Sequence, residues 1–258
     1  KPVKLTNVDV NALRTKLASV HPGYNAASDN GLVYMTRTDA VADNDGNPYA
    51  GDPKRNVTGF KLINGSTLNN ATTFVSNNPV YVHKNFNVHT STNPALDKWK
   101  PCAVISDAIT LLSNSWVDAD SNWKDKNVTP KVTPQLPTAS NTEFNIVLIT
   151  GNVPTRPGQY SGGFENFPRF LENWSGKNVN ISGGFIQLFR SMFATGPWVY
   201  GDYYTAPNRN WQSEPRFNDL SALPPDFVNL FPSTAIDIIY SGWNSLSRDE
   251  TDIGDFSD

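Results

Sequence analysis

Residues 161–198, SGGFENFPRFLENWSGKNVNISGGFIQLFRSMFATGPW, contain the patterns on which the fold prediction depends. Four apolar residues recur at i, i+3, i+4 and i+7 in this stretch: Phe167, Phe170, Leu171 and Trp174. This spacing predicts a short α-helix over residues 166–175. Further along, residues 179–188 alternate between apolar and polar side chains on both sides of a corner at 182–184, as strands with one buried face do. The stretch therefore predicts one short helix packed on a β scaffold.

A second stretch has the same design as residues 179–188. Residues 80–88, VYVHKNFNV, also give an apolar-x-apolar run, a polar corner and further apolar residues. Such a corner is typical of a hairpin or of a parallel β-helix, in which the chain bends between faces of one coil. Short apolar segments recur along the chain at 57–63, 73–75, 80–88, 103–112, 144–149 and 179–188. We predict an all-β fold, a right-handed parallel β-helix (solenoid), with a β-sandwich as the alternative.

The remaining regions complete the predicted domain organisation. Val10, Leu13, Leu17 and Val20 keep helical spacing, so residues 1–30 should form an amphipathic helix and a linker, with Asn7 or Asp9 as the N-cap. Residues 31–240 form the β-rich domain, within which 118–142 is a polar surface loop and 195–232 is an irregular aromatic cover. Residues 241–258 form an acidic tail.

Composition excludes several classes of function. Only 17% of the residues are charged and the net charge is −3, which gives no electrostatic basis for binding nucleic acid. No apolar run reaches the roughly 18 residues that a transmembrane helix needs. Cys102 is the only cysteine, so an intrachain disulfide is impossible, and we expect this residue to be a small buried apolar side chain. The low charge and the abundance of Asn, Thr and Gly are typical of an extracellular bacterial β protein.

The aromatic run near the C-terminus is the candidate partner-binding surface. It includes Trp198, Tyr200, Tyr203, Tyr204 and Trp211. Such a run could stack on a carbohydrate or contact a partner protein. The alternative is that it buries its rings against the β scaffold.

Charged and metal-ligating residues suggest weaker candidates. Asp43, Asp45 and Asp52 offer oxygen ligands for calcium, although a solvated turn fits the same residues. No carboxylate or cysteine follows His83 or His89 at metal-ligand spacing, and we predict no metal and no other cofactor.

A trio of charged residues lies on the predicted helix over 166–175 and just before it. Glu165, Arg169 and Glu172 have the spacing of helical ion pairs. Paired carboxylates could also serve glycoside hydrolysis, but nothing in the sequence places a substrate between them. We therefore predict no catalytic residues.

Several stretches together resemble the C-terminal region of large bacterial surface proteins related to the hormogonium polysaccharide protein and to PilX-like pilus-assembly proteins. The most specific are YSGGFENFPRFLENWSG (160–176) and LSNSW (112–116), and the others are RTDAV (37–41), FKLINGSTL (60–68), NPVYVHKNFN (78–87), WKPCAVISDAITLLSNSW (99–116), ITGNVPT (149–155), LFRSMFATGPW (188–198), YYTAPNRNW (203–211) and LPPDF (223–227). The resemblance covers roughly residues 31–231.

The resemblance implies an extracellular or cell-surface structural protein linked to pilus-type export. We expect a non-catalytic, adhesive or filament-forming subunit whose partners are copies of itself or pilin-like subunits. A polysaccharide-binding or polysaccharide-degrading β-helix protein is the alternative, and a surface polysaccharide is a second candidate partner.

Overall fold

The computed structural model describes residues 4–25, 29–37, 58–119, 136–152, 167–188 and 205–227. Helix α1 (Leu13–Val20) and the 3₁₀ turns Pro215–Asn218 and Leu220–Ala222 lie complete within these ranges. The strands are β1 (Lys4–Asp9), β2 (Leu32–Tyr34), β3 (Thr58–Ile63), β4 (Thr72–Ser76), β5 (Val80–His83), β6 (Cys102–Ser106), β7 (Ile109–Leu112), β8 (Thr142–Phe144), β9 (Val147–Thr150), β10 (Asn178–Gln187) and β11 (Asn208–Ser213). The protein is thus mostly β, as the sequence predicts.

The strands form two sheets in which every described pairing between strands is parallel. The first sheet has the order β1-β3-β5-β7, and the second has the order β11-β10-β9-β6-β4-β2, with β8 beside β10. Apolar side chains from both sheets, among them Leu62, Val82, Val104 and Leu148, pack in one core. Parallel pairing disagrees with the β-sandwich alternative, because sandwiches are built from antiparallel strands.

Strand β10 pairs with β8, β9 and β11, and its partners change along its length. Its first half, residues 178–183, pairs with β11, and its last four residues, 184–187, pair with β9. Where the partners change, a Cβ on Gly183 would lie only 1.9 Å from the carbonyl oxygen of Ile146, so only glycine fits. The corner predicted at 182–184 is therefore the point at which the strand changes partners.

The N-terminal segment differs from the helix predicted over its first residues. Lys4–Asp9 is strand β1, which pairs with β3 along its whole length, and helix α1 begins only at Leu13. Asp9, a predicted N-cap, accepts hydrogen bonds from the backbone N–H groups of Asn11 and Ala12 just before the helix. A strand forms because the edge of β3 provides hydrogen-bond partners for the backbone N–H and C=O groups of residues 4–9. Helix α1 has no fully buried residue, although Leu13 packs against the core.

The prediction of a short helix over residues 166–175 is wrong: the described part, 167–175, is not helical. The N–H of Arg169 donates to the carbonyl of Ile109 at 2.8 Å, and the carbonyl of Arg169 accepts from Leu111 at 2.9 Å. Asn173 makes the same two-way contact with Pro137 and Ala139. Neighbouring strand segments thus satisfy this backbone, while Phe167, Phe170 and Trp174 still reach the core. The apolar spacing identified the buried side chains but not the backbone conformation.

Candidate functional site

A row of asparagine side chains crosses the outer face of β10 and β11. The register places Asn178 beside Asn208 and Asn180 beside Asn210. The amide of Asn208 donates to the side-chain oxygen of Asn178 at 3.0 Å, and Asn210 donates to Asn180 at 2.9 Å. We call these four residues the amide ladder. Asn208 and Asn210 are exposed, and β11 is the last strand of its sheet among the described residues, so within those residues the ladder ends at a sheet edge.

Trp211 is the one described residue of the predicted aromatic surface. Its ring is half-buried, packs 4.9 Å from the ring of Phe185 and has the guanidinium of Arg209 over it at 5.4 Å. Its indole nitrogen is buried, so Trp211 does not present a fully exposed stacking face. The other four residues, Trp198, Tyr200, Tyr203 and Tyr204, lie outside the described residues.

A column of polar groups runs through a corner of the stacked strands, beside the core. The amide of Asn87 donates to the carbonyl of Asn145 at 2.8 Å, and the side-chain oxygen of Asn145 accepts from the N–H of Ser182 at 3.0 Å. The hydroxyl of Ser182 then donates to Glu214 at 2.7 Å. We call Asn87, Asn145, Ser182 and Glu214 the polar corner. Each residue of the column is thus hydrogen-bonded to the next one, as buried polar groups generally are.

Four ionisable residues meet at the end of the polar corner. His89 faces a carboxylate oxygen at each ring nitrogen: Asp97 lies 2.6 Å from Nδ1, and Glu214 lies 2.9 Å from Nε2. Arg216 donates to the same oxygen of Asp97 at 2.6 Å. We call His89, Asp97, Glu214 and Arg216 the charge cluster. Trp99 packs beside it, with its ring stacked on His89 and under the guanidinium of Arg216.

The charge cluster holds two almost completely buried carboxyl groups. The side chain of Asp97 is 0% exposed and that of Glu214 is 2% exposed, while His89 retains 29%. Burial alone would raise the pKa of Asp97, but hydrogen bonds from His89, from the N–H groups of Thr90 and Trp99, and from Arg216 outweigh it. The pKa of Asp97 therefore lies well below its ordinary value, and this carboxylate is charged in the folded protein.

Glu172 occupies a second corner with a different environment. It is 0% exposed and accepts hydrogen bonds from the hydroxyl and from the N–H of Ser113, the latter at 2.8 Å. Burial raises the pKa of Glu172, and the two bonds from Ser113 oppose that shift only in part. The helical ion pairs predicted for Glu172 and Arg169 do not form because this segment is extended, and Glu165 lies outside the described residues.

His83 and Cys102, considered from the sequence as a metal ligand and a thiol, both have pKa values shifted by burial. His83 contacts the carbonyl of Trp116 at 3.3 Å, and burial is the main reason that the pKa of His83 is lowered. Cys102 is fully buried, as predicted, and this burial raises the pKa of its thiol far above the ordinary range. The thiol is therefore inert as a nucleophile in the folded protein.

The described residues contain neither a group of side chains that could hold a metal ion nor a helix that could span a membrane. Asp43, Asp45 and Asp52, the calcium candidates, lie outside them. Within the ranges that the structure describes, no three His, Cys, Asp or Glu side chains converge as a metal site. In the same ranges, no helix has the length and apolar character needed to cross a bilayer.

Sequence reasoning missed the charge cluster entirely. His89 and Asp97 are eight positions apart in a polar loop, and Glu214 follows a strand more than a hundred residues later. No spacing rule joins residues so far apart, because parallel stacking brings them together. The one available signal was the recurrence of Asn or Ser at the corner positions of successive strands.

Comparisons with known proteins found no match: no family model, no curated protein and no solved structure is similar to this chain.

Proposed function

We propose that the strands wind as a right-handed parallel β-helix. From β1 to β7, consecutive strands alternate between the two sheets and strands two positions apart pair with each other, such as β3 with β5, β5 with β7 and β4 with β6, whereas β8 to β11 all belong to the second sheet. A chain that alternates in this way and always pairs in parallel advances by one rung per circuit. The right hand follows from the general preference of parallel crossover connections.

We further propose that the protein is an extracellular structural or adhesive surface protein, a pilus-associated or filament-forming subunit without catalytic activity. The observation that carries this proposal is the amide ladder, which reaches β11, an edge strand in the part of the chain that the structure describes. Each side-chain amide has two N–H donors and one acceptor, so Asn208 and Asn210 retain bonding capacity after their bonds to β10. A strand edge of this kind can accept another strand, and stacked asparagines extend across such contacts.

Within this proposal, the partner is a second copy of the chain or a pilin-like subunit whose edge strand continues the second sheet beyond β11. The resemblance to surface and pilus-assembly proteins agrees with this assignment. The amide ladder is uncharged, so association should depend on hydrogen bonds and shape, and added salt should weaken it little.

Electron microscopy and sedimentation of the native protein test this proposal. We expect the wild type to form ordered filaments or oligomers, and the double variant Asn208→Ala/Asn210→Ala to shift the population towards monomers. Asn69→Ala/Asn70→Ala is the matched control, because these two asparagines are also exposed but lie in the turn before β4. A wild type that stays monomeric at every concentration would contradict self-assembly, and equal assembly of both double variants would contradict the role of the ladder.

A polysaccharide partner is the second candidate, and the same surface favours it. Rows of neutral amides offer alternating donors and acceptors, which suit a hydroxyl-rich polymer. A glycan-binding screen with the same two double variants tests it: binding lost only in Asn208→Ala/Asn210→Ala supports a sugar surface, and binding unchanged in both variants rejects it.

A further inference from the structure

The segment of residues 214–227, which we call the strap, covers the outer face of the second sheet. Phe217 and Phe227 pack there in a second apolar cluster. Their partners from the sheet and its flank are Trp99, Ala103, Ile105, Val147 and Ile149. Two 3₁₀ turns make up much of the strap. The strap thus closes the sheet with little regular structure of its own.

The two ends of the strap are held differently. Near its C-terminal end, the hydroxyl of Thr73 donates to the carbonyl of Pro225 at 2.7 Å, and Asn30 donates to Asp226 at 3.2 Å. At its start, Glu214 and Arg216 belong to the charge cluster, which ties them to the loop that carries His89 and Asp97. The charge cluster is therefore the ionic attachment at the start of the strap.

The number of hydrogen bonds that His89 can donate depends on its protonation. A neutral imidazole has one N–H and can donate to one partner, whereas an imidazolium donates through both nitrogens. Here both nitrogens face carboxylate oxygens, one from the loop and one from the strap. With His89 protonated, the cluster contains two cations and two anions. Without the second proton, a nitrogen lone pair faces a buried carboxylate, which costs free energy.

The groups around His89 come from four elements. Its own loop supplies Asp97, and the strap supplies Glu214 and Arg216. Strand β10 supplies the uncharged hydroxyl of Ser182, and Glu143 of β8 reaches the cluster only through its hydrogen bond with Asn145. None of these groups replaces the proton that His89 donates to the strap.

We propose that the charge cluster is a pH-sensitive clasp that holds the strap over the second sheet. Protonated His89 joins the loop to the strap, and loss of one proton releases the bond to Glu214 or to Asp97. The start of the strap then loses one of its attachments, while Arg216 still contacts Asp97 and Ser182 still contacts Glu214, so it opens locally more often and the strands below remain folded. This inference does not depend on the role proposed for the amide ladder.

Amide hydrogen exchange of the full chain tests the clasp, with rates corrected for the intrinsic effect of pH. Histidine changes its charge within roughly pH 5 to 8, so protection is compared at the two ends of that range. We expect strap amides to lose about tenfold in protection at the higher pH, which corresponds to about 1.4 kcal/mol, while amides of β6 and β9 are unchanged. Equal strap protection at both values would overturn the proposal, as would loss of protection in the strap and in β6 and β9 together.

Variants assign the effect to His89. In His89→Gln the strap should have low protection at both pH values, whereas His83→Gln, at a histidine with no carboxylate partner among its described hydrogen bonds, should behave as the wild type does. Glu214→Gln offers an amide that can donate to a neutral imidazole, so it should keep the strap protected at the higher pH. A pH dependence that survives in His89→Gln would reject the clasp.

Discussion

Asp97 and Glu172 are both fully buried carboxyl groups at corners of the stacked strands, but their environments differ. Asp97 faces two basic side chains, His89 and Arg216, and two backbone N–H groups, so its pKa is far below the ordinary value. Among the described residues, Glu172 accepts hydrogen bonds only from the hydroxyl and N–H of Ser113, and burial raises its pKa. Burial disfavours the charge at both sites, and the larger set of hydrogen bonds to Asp97 reverses the outcome there. The difference predicts opposite responses to mutation and to pH.

The largest effect should come from disrupting the corner on which the charge cluster rests. Gly183→Ala places a Cβ 1.9 Å from the carbonyl oxygen of Ile146, so the backbone must move. We expect a loss of about 3 kcal/mol or more in the free energy of unfolding, measured by urea denaturation. Gly184→Ala is the control, because its Cβ would meet only Val147 at 3.7 Å, an ordinary contact. Equal losses in the two variants would contradict the close approach at Gly183.

Removing the charge of Asp97 should have the next largest effect. Asp97→Asn leaves His89 and Arg216 without their shared carboxylate, and we expect a loss of about 2 kcal/mol in the free energy of unfolding. Asp219→Asn is the matched control, since Asp219 caps a 3₁₀ turn at the exposed surface and asparagine caps equally well. A loss below about 0.5 kcal/mol in Asp97→Asn would show that the cluster contributes no more than a surface ion pair.

Acid should remove the contribution of Asp97. Because the folded-state pKa of Asp97 is lowered, its stabilisation is present above the ordinary value of 3.8 and is lost as the pH falls through the folded-state pKa. The difference in unfolding free energy between wild type and Asp97→Asn should therefore shrink in acid. Urea denaturation of both proteins across the acid range measures this difference. A gap that stays constant down to the lowest accessible pH would contradict the assignment.

The smallest effect, of opposite sign, is expected at Glu172. Because its folded-state pKa is raised, wild-type stability falls as the pH rises from the ordinary value of 4.5 through the folded-state pKa. Glu172→Gln removes this dependence, so it should gain on the wild type with rising pH, by about 1 kcal/mol at most. Glu172→Ala, which also loses the bonds to Ser113, should destabilise at every pH. If Glu172→Gln instead lost stability with rising pH, Glu172 would have an unidentified cationic partner.

The sequence predicted the strands better than the contacts between them. Apolar runs located β3, β4 and β10 within one or two residues, whereas the predicted segment 80–88 continues five residues beyond the end of β5 at His83. The same reasoning made residues 166–175 a helix, since side chains reaching a core around a bend can also recur at three and four positions. Lys4–Asp9 lacks a strong strand pattern and forms a strand because β3 offers an edge.

The candidate sites were harder to predict for a physical reason. The charge cluster joins His89 to Glu214, and the amide ladder joins Asn180 to Asn210. Both sites therefore depend on which strands become neighbours in the sheets. Register is decided by loop lengths and by close contacts such as that of Gly183, none of which has a sequence period. Local patterns therefore identify the strands, and the order in which the strands pair determines which side chains meet at their ends.

Strand β10 also has a mechanical consequence. One continuous strand holds β11 through its first half and β9 through its second, so the two pairings share a single covalent backbone. Tension that peels β11 away is transmitted along that backbone to the pairing with β9. A pull along the strands would shear many parallel hydrogen bonds together, whereas a pull across them would break them one after another. The protein should therefore resist force far better in the first direction than in the second.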